Sequence, residues 1–322
     1  MKKALFVLSV FALPLLAEED DWRLNNSFSL YGDFAYFKRE QTQKHKLIID
    51  SSTTNCDCRF PSCSTTTLVH HFDFEPGFKV GAMYMTRHTV WDLSYLWINS
   101  WEGHCSKSAP GSLIFSVSNP GITNDFDGAD TGSAEYISQF QNAELNFFRY
   151  VTLRRGDYFS SAWVLGARYM NLREELDISF TNSGSKSSYK IHTTNHIPAL
   201  QVGGLIAWNP TTQLSWDLVA KVGVGFDMGE QKTFLGDFNN TVAVRDYEKS
   251  GFSTPLVVDV GITLSYQPLS YLSFQAAYQV IYLNGVALAT DQVDKSSNSQ
   301  HRYRAIGAPL IDGLTVGLAW SF

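Results

Sequence analysis

The chain has 322 residues, of which 44% are hydrophobic and 14% aromatic, with a formal net charge of −6 and a mean hydropathy of −0.13. Beyond residue 17, no segment approaches the ~20 consecutive apolar residues of a membrane-spanning helix. The sequence also lacks a basic run typical of nucleic-acid binding and a glycine-rich phosphate loop before a helix. The sequence therefore gives no sign of a helical membrane span beyond residue 17, of nucleic-acid binding or of a phosphate-binding loop, and the fold has to be inferred from the apolar and polar pattern of individual segments.

The first 17 residues, MKKALFVLSVFALPLLA, combine two lysines, an apolar run and a small residue before the acidic EEDD. This order predicts a secretory signal peptide that is cleaved after Ala17, although Leu15 is larger than the usual residue three positions before a cleavage site. A membrane anchor is the alternative, but the run is too short to span a bilayer. We therefore expect one mature domain, residues 18–322, that is either a secreted β-protein or an outer-membrane barrel.

Three segments alternate between apolar and small or polar residues with a period of two: 213–227 (QLSWDLVAKVGVGFD), 256–266 and 272–282. A period of two predicts β-strands with one apolar face. Strands of soluble sandwiches usually have ~5–6 residues, whereas a tilted membrane strand needs ~9–11. Aromatic residues near the strand ends, such as Trp216 and Phe226, match the interfacial girdles of membrane barrels.

The same alternation recurs in seven further segments: 28–36, 72–84, 91–97, 142–147, 163–169, 200–208 and 313–322. Short links alternate with long polar ones, predicted at about 38–68, 102–133, 181–194, 228–251 and 284–302. Short periplasmic turns and long external loops are the plan of outer-membrane barrels. The sequence thus predicts an all-β, antiparallel transmembrane barrel of about ten strands, or twelve and more if the two longest loops hide a hairpin.

The chain ends on a strand whose apolar face closes with an aromatic residue: Leu314, Val316, Leu318, Trp320 and Phe322. Chain ends usually fray, so this face needs a cover, and we expect outer-membrane lipid to supply it while the strand pairs with the first one. A terminal phenylalanine after alternating apolar residues resembles the signal by which the barrel-assembly machinery recognises its substrates. The alternative is the edge strand of a β-sandwich.

Four short motifs resemble the β-barrel porin family described in planctomycete-type bacteria: 30–36 (LYGDFAY), 142–147 (NAELNF), 165–176 (LGARYMNLREEL) and 201–204 (QVGG). The segment 90–93 (VWDL) is similar to major-outer-membrane-protein-like barrels of chlamydia-type and legionella-type bacteria. The resemblance implies an outer-membrane location and a pore role. It supplies no catalytic residues.

The alternation places ten charged residues on the face away from lipid: Asp33, Asp73, Glu75, Lys79, Asp92, Glu144, Arg168, Asp217, Lys221 and Asp259. Charges on that face belong to a lumen, where they set ion selectivity. Their acidic excess predicts a constriction with a mild preference for cations. The alternative is a paired network that fills a narrow barrel, because eight strands leave room only for side chains.

All four cysteines, Cys56, Cys58, Cys63 and Cys105, fall in the two longest predicted loops. Disulfides persist in exported proteins, and four cysteines allow three pairings. We expect one bridge within the first loop and one between the loops, with intermolecular cross-linking as an alternative. A zinc site using His70, His71 or His104 is a weaker alternative, because the spacings match no standard zinc pattern.

The sequence therefore predicts a porin-like channel for small hydrophilic solutes or ions, without a metal or other cofactor. The first alternative is a non-conducting structural or adhesive surface barrel with disulfide-stapled loops. An outer-membrane hydrolase is the second, since His196, His301, Asp227 and Asp246 are candidates, but no motif brings them together. We expect no enzyme activity. The sequence leaves the solute and the oligomeric state open, a homo-oligomer included.

Overall fold

A computed structural model describes residues 27–40, 46–50, 66–67, 72–86, 88–115, 125–152, 158–293 and 303–322. The predicted leader lies outside these ranges, so its cleavage stays a prediction. The described segments contain no helix with the length and apolar character that a membrane crossing requires.

The described chain forms fourteen strands and one 3₁₀-helix. The strands are β1 (Ser27–Glu40), β2 (Lys46–Asp50), β3 (Thr66–Thr67), β4 (Glu75–Met85), β5 (Thr89–Phe115), β6 (Asp127–Thr152), β7 (Phe159–Asn182), β8 (Ser185–Trp208), β9 (Leu214–Gly225), β10 (Asp227–Asp237), β11 (Val242–Ser253), β12 (Leu256–Leu269), β13 (Leu272–Asn284) and β14 (Leu310–Ser321). The 3₁₀-helix, Ala289–Gln292, lies between β13 and β14. All strand pairs are antiparallel.

The sheet closes on itself in the order β1-β4-β5-β6-β7-β8-β9-β12-β13-β14, with β14 paired to β1. Strands β9 and β10 are successive parts of one strand line interrupted at Phe226, and β11 and β12 are parts of another interrupted at 254–255. Strands β9 and β12 belong to the ring, whereas beyond it β10 pairs with β8, and β11 pairs with β10. The predicted barrel of about ten antiparallel strands is confirmed.

The last strand seals the ring as predicted. Strand β14 pairs with β1 over twelve positions, from Ser29↔Ser321 to Glu40↔Leu310. Beyond that ladder, the Phe322 backbone N donates to the Phe28 backbone O at 2.8 Å, and the two rings lie 6.4 Å apart. Both ends of the described wall therefore meet at one end of the barrel, which we call the terminal end; the opposite end is the hairpin end.

An exposed apolar belt surrounds the terminal half of the barrel. Its members alternate with inward residues on every ring strand, and Leu200, at 72% exposure, is among the most exposed. Aromatic side chains border this belt, including Trp216 at the terminal side and the stacked pair Phe226–Phe252 at the hairpin side. The belt has the composition expected of a lipid-facing surface.

Several predicted long loops are instead strand extensions. The predicted loop 181–194 is a two-residue turn, Ser183-Gly184, between β7 and β8, and both turn residues have positive φ. Most of the predicted loops 102–133 and 228–251 also lies in hairpins, β5–β6 and β10–β11. The prediction missed these strands because their apolar face changes side: beyond Tyr169 the inward residues of β7 are apolar except Glu174, and the outward ones are polar.

The apolar face changes side because lipid surrounds one part of the barrel wall and water surrounds the other. In the belt, lipid covers the outer face, so outward residues such as Leu165 are apolar. Toward the hairpin end, inward Met170, Leu172, Leu176 and Ile178 are fully buried, while Arg173 on the outer face is exposed. Water outside and packed side chains inside require this reversed pattern, because burial of apolar surface is favourable only away from water.

Asp125 joins three hairpin tips. Its carboxylate Oδ2 accepts hydrogen bonds from Ser185 Oγ (2.8 Å), Ser187 Oγ (2.7 Å) and the Asn239 backbone N (3.1 Å). Its own backbone N donates to Asp237 Oδ1 at 3.0 Å. Burial alone would raise the pKa of Asp125, but these hydrogen bonds outweigh it and lower the pKa.

Because the folded pKa of Asp125 lies below the unfolded value, its contribution is full above about pH 4 and is lost as the pH falls through the folded pKa. We expect amide hydrogen exchange at Ser185, Ser187 and Asn239 to accelerate on acidification below pH ~4, after correction for intrinsic exchange rates. An Asp125→Asn variant should exchange faster already at neutral pH and show little further acid dependence. Protection of these amides that is independent of both changes would contradict this role.

Ala220 lies at the centre of β9 on the outer face of the belt. We expect Ala220→Arg to lower the free energy of unfolding in bilayers by ~2–4 kcal/mol, because it places a charge in the hydrocarbon region. Gln213→Arg, in the exposed turn before β9, is the matched control and should cost little. Urea unfolding in lipid vesicles measures both changes; equal stability of Ala220→Arg and parent would invalidate the assigned facing.

Candidate functional site: the charged interior

Four charged side chains form a closed ring of ion pairs inside the belt. Glu144 contacts Arg168 (Oε1 to Nη2, 2.9 Å) and Lys221 (Oε2 to Nζ, 2.6 Å). Asp259 Oδ2 pairs with the same two cations, Arg168 Nη2 and Lys221 Nζ, the latter at 3.0 Å. All four side chains are at least nine-tenths buried, and their charges sum to zero.

Strand register builds this ion-pair ring from two cross-strand pairs. Glu144 on β6 lies opposite Arg168 on β7, and Lys221 on β9 lies opposite Asp259 on β12. Strand β8 separates the pairs, and its Gly203 lies opposite Lys221. A Cβ at Gly203 would come within 3.0 Å of Lys221 Cγ and closer still to the Ala220 carbonyl, so glycine permits the close approach of β9.

Neutral amide side chains donate further hydrogen bonds to the two carboxylates of the ion-pair ring. Glu144 accepts hydrogen bonds from Asn142 Nδ2 (2.7 Å), Asn146 Nδ2 (3.1 Å) and Gln201 Nε2 (3.1 Å). Gln279 Nε2 donates to Asp259 Oδ1 at 3.0 Å. Buried charges persist in proteins when they are paired and hydrogen-bonded. Both carboxylates meet these conditions, whereas Arg168 is paired but its Nε and Nη1 have no hydrogen-bond partner among the described residues.

A second polar cluster lies on the opposite wall. The Tyr31 hydroxyl donates to Asp92 Oδ1 at 2.9 Å, and Gln275 Nε2 donates to Asp33 Oδ1 at 2.6 Å. Lys79 lies opposite Asp33 in the β1–β4 register but forms no ion pair within 4 Å of a described carboxylate. The inner wall at this level is therefore polar around the ring of strands.

The remaining predicted lumen residues lie elsewhere. Glu75 starts β4 at the hairpin side of the belt, half-buried. Asp73 precedes β4 with an exposed side chain, so the structure does not place it on the inner wall. Neighbouring Phe72, predicted on the lipid face, is instead buried against Tyr136 and Arg39, because the strand begins only at Glu75. Asp217 faces inward near the terminal end and belongs to a separate cavity described below.

Above the ion-pair ring, toward the hairpin end, the interior is an apolar core that contains an ion pair. Arg39 Nη2 contacts Glu174 Oε1 at 2.5 Å, and both side chains are fully buried. The Tyr136 hydroxyl donates to Glu174 Oε2 at 2.6 Å. This pair was not predicted, because the predicted strands ended at Tyr36 and Tyr169 and neither Arg39 nor Glu174 was placed on a strand. The inverted alternation of Leu172, Glu174 and Leu176 was the available signal.

The connection between β13 and β14 folds into this core. We call residues 285–293 the inserted segment; from Val286 to Val293 every side chain is buried. The Asn195 side chain on β8 bonds both backbone groups of Ala287, each at 2.8 Å. The Ala289 backbone N donates to Glu174 Oε2 at 2.7 Å. The segment thus crosses from the β13–β14 side to β7 and β8.

The return path of the connection is anchored on β10 and β11. The Tyr303 ring lies against Gly229 and Gly251, which are register partners, and a Cβ on either residue would overlap it. The Tyr303 hydroxyl donates to Asp227 Oδ2 at 3.1 Å. Two glycines therefore form a slot for one tyrosine, which holds the end of the connection against the wall.

The cysteine predictions are largely outside the described ranges, which exclude Cys56, Cys58 and Cys63. Cys105 lies in β5 and not in a loop; it forms no disulfide with a described residue and packs against the apolar core. The disulfide pairings therefore stay predictions. In the described ranges, no three His, Cys, Asp or Glu residues could together hold a metal ion; His70 and His71 lie outside them, and His104 is exposed on β5.

Comparisons with known proteins bear on the family and the fold. The sequence profile of a family described as "Putative beta barrel porin-7" matches residues 117–310, which is more than half of the chain. No curated protein sequence matches. Among solved structures, the outer membrane protease OmpT from Escherichia coli aligns with 10% identity, 92% of this chain, 96% of its own and a TM-score of 0.45.

Two further solved structures align with lower TM-scores. The translocator domain of the autotransporter NalP from Neisseria meningitidis aligns with 12% identity over 91% of this chain and 88% of its own, at a TM-score of 0.36. The anion-selective porin from Comamonas acidovorans aligns with 6% identity over 92% and 99%, at a TM-score of 0.17.

The ion-pair ring predicts a distinctive pattern of stabilities. Lys221→Met should lower the free energy of unfolding by ~3–5 kcal/mol, because it leaves one buried carboxylate uncompensated. Adding Asp259→Asn restores a neutral cluster of Glu144 and Arg168, so the double variant should recover at least half of the loss. Lys249→Met, at an exposed position on β11, is the control.

Urea titration in lipid vesicles measures these variants. A double variant that is less stable than Lys221→Met alone would show that the two residues do not act as one electrostatic unit.

Proposed function

Because the chain belongs to the "Putative beta barrel porin-7" family, we propose that it is a channel for passive diffusion of small hydrophilic solutes or ions through the outer membrane. The observation that carries this proposal is the polar inner wall at the level of the apolar belt, which includes Asp33, Asp92, Asn146, Gln201 and Gln279. A lining of this kind replaces part of the hydration shell of a passing solute.

The charge balance of the inner wall supports a mild preference for cations. At the level of the belt, the described inner wall carries five carboxylates, Asp33, Asp92, Glu144, Asp217 and Asp259, and three cations, Lys79, Arg168 and Lys221. The ion-pair ring is neutral by itself, so the excess comes from Asp33, Asp92 and Asp217. A lumen of net negative potential concentrates cations and repels anions.

The conformation described is closed. The ion-pair ring occupies the belt level, and the inserted segment fills the interior toward the hairpin end. However, the inserted segment is a connection and not part of the wall. It is held by hydrogen bonds between Asn195 and Ala287 and by the hydrogen bond that Glu174 accepts from the Ala289 backbone N, and its displacement would break no β-ladder of the ring. Passage therefore requires withdrawal of this segment and a shift of side chains at the ring.

The packed interior also supports a second candidate, a non-conducting surface barrel. Ten strands give a lumen only slightly wider than the eight-stranded barrels that side chains fill. The core around Trp101, Tyr136, Phe140 and Leu172 is fully buried, as in a soluble protein. In that case the long hairpins would serve as a structural or adhesive surface.

Single-channel recording from the refolded chain 18–322 in a planar bilayer separates the two candidates. We expect a mostly closed parent with small, brief steps and a reversal potential that indicates cation preference. Asn195→Leu removes both hydrogen bonds to Ala287 and should raise the open probability roughly thirtyfold, since two lost bonds of ~1 kcal/mol each amount to ~2 kcal/mol.

Thr194→Val is the matched control: this buried neighbour has its hydroxyl 3.1 Å from His192 Nε2, and no hydrogen bond of the described residues joins its side chain to the inserted segment. The control should behave as the parent. Folded protein that stays silent in both parent and Asn195→Leu would reject the channel and favour the structural barrel.

A further inference from the structure

A cavity of about 280 Å³ opens at the terminal end of the barrel. Hydroxyl and amide side chains supply most of its lining: Thr86, Tyr150, Ser160, Asn209, Thr211, Thr212, Gln213, Ser215, Ser265, Gln267 and Ser273. Asp217 is the one charged residue among the described residues of this lining. We call this cavity the vestibule.

Asp217 has no counterpart in the vestibule. Its carboxylate forms no ion pair within 4 Å and accepts no hydrogen bond from any residue that the structure describes. By contrast, Glu144 and Asp259 share two cations, and Asp33 and Asp92 each accept a hydrogen bond. An inward carboxylate without a partner carries a desolvation cost that a cation would offset.

Four serines add a second, independent feature. Ser160, Ser215, Ser265 and Ser273 come from β7, β9, β12 and β13 and converge on the same space. Their hydroxyl groups make no hydrogen bond within the described ranges, so their donors and acceptors are available to a polar guest. One carboxylate surrounded by unpaired hydroxyls is complementary to a molecule with both a positive charge and hydroxyl groups.

An apolar layer forms the inner boundary of the vestibule. Ala162, Val164, Leu205 and Ala207 pack together inside the wall, with Phe148, Tyr150 and Val219 against them. This layer lies between Asp217 and the ion-pair ring, since Lys221 is four residues further along β9. A solute entering from the terminal end would therefore meet Asp217 before it reaches this layer.

We propose that the vestibule is a binding site for a small, hydroxyl-bearing organic cation, held by Asp217 and the four serines. Its volume, near the lower limit of ligand pockets, suits a molecule of monosaccharide size. The proposal deepens the channel function by naming a solute class, and it rests on that function only for the role of the bound molecule. Binding itself is measurable without any passage.

Glucosamine and glucose are matched probes, because they differ by one ammonium group in place of a hydroxyl. The refolded chain 18–322 in lipid nanodiscs is titrated with each sugar, slightly below neutral pH, and binding is followed by ligand-observed NMR. We expect glucosamine to bind at least tenfold more tightly than glucose, as a charge-assisted hydrogen bond provides.

Asp217→Asn keeps the shape of the side chain and removes its charge, so glucosamine affinity should fall at least tenfold while glucose binding stays unchanged. Asp246→Asn, at an exposed site on the outer face of β11, is the control and should bind as the parent. Thermal unfolding of Asp217→Asn should occur at the same temperature or higher, because an unpaired charge is removed.

Four results would overturn the proposal: no glucosamine binding by the parent, equal affinity for the two sugars, an unaffected Asp217→Asn variant, or a markedly destabilised one. The last would reveal a structural partner for the carboxylate. Failure of the channel function is distinguishable from all of these, since a silent barrel that binds glucosamine keeps the site, and a conducting barrel without binding rejects only the site.

Discussion

Closure of the sheet is the constraint on which the rest of this structure depends. In hydrocarbon every backbone N–H and C=O must form a hydrogen bond within the protein. The β1–β14 ladder provides these hydrogen bonds for the first and last strands and so closes the sheet. Ten strands then fix the circumference, and the circumference fixes how much can lie inside. At that width inward charges lie within reach of one another across the lumen, so Glu144, Arg168, Lys221 and Asp259 pair instead of facing a wide aqueous pore.

The same wall passes through two environments, and this governs which parts of the fold could be predicted. Segments 213–227, 256–266 and 272–282 were assigned correctly because lipid demands an apolar outer face along the whole segment. The outer part of β7, from Met170 to Asn182, was missed because water demands the opposite arrangement there. A period of two identifies a strand in both environments. Which of its two faces is apolar depends on whether lipid or water surrounds the strand, and the local sequence does not specify this.

The interior was predictable in its facing and not in its contacts. Alternation correctly places Glu144, Arg168, Lys221 and Asp259 on the inner face, but their mutual approach depends on the curvature of the wall and on Gly203 across β8. The inserted segment was foreseen only as a long link, because its position depends on side chains such as Asn195 and Glu174 that are remote in sequence. No local pattern encodes a contact of that kind.

The anchoring of the inserted segment has a consequence for the order of folding. Its contacts to Asn195 and Glu174 span 92 and 115 residues of chain, and such long-range contacts form late because closing the intervening loop costs entropy. Strands β7, β8, β10 and β11 must already be in place to receive it. The barrel would thus complete its wall around a hydrated interior and expel that water only in a final step, so a defect in docking would leave a correctly inserted protein with a leaky interior.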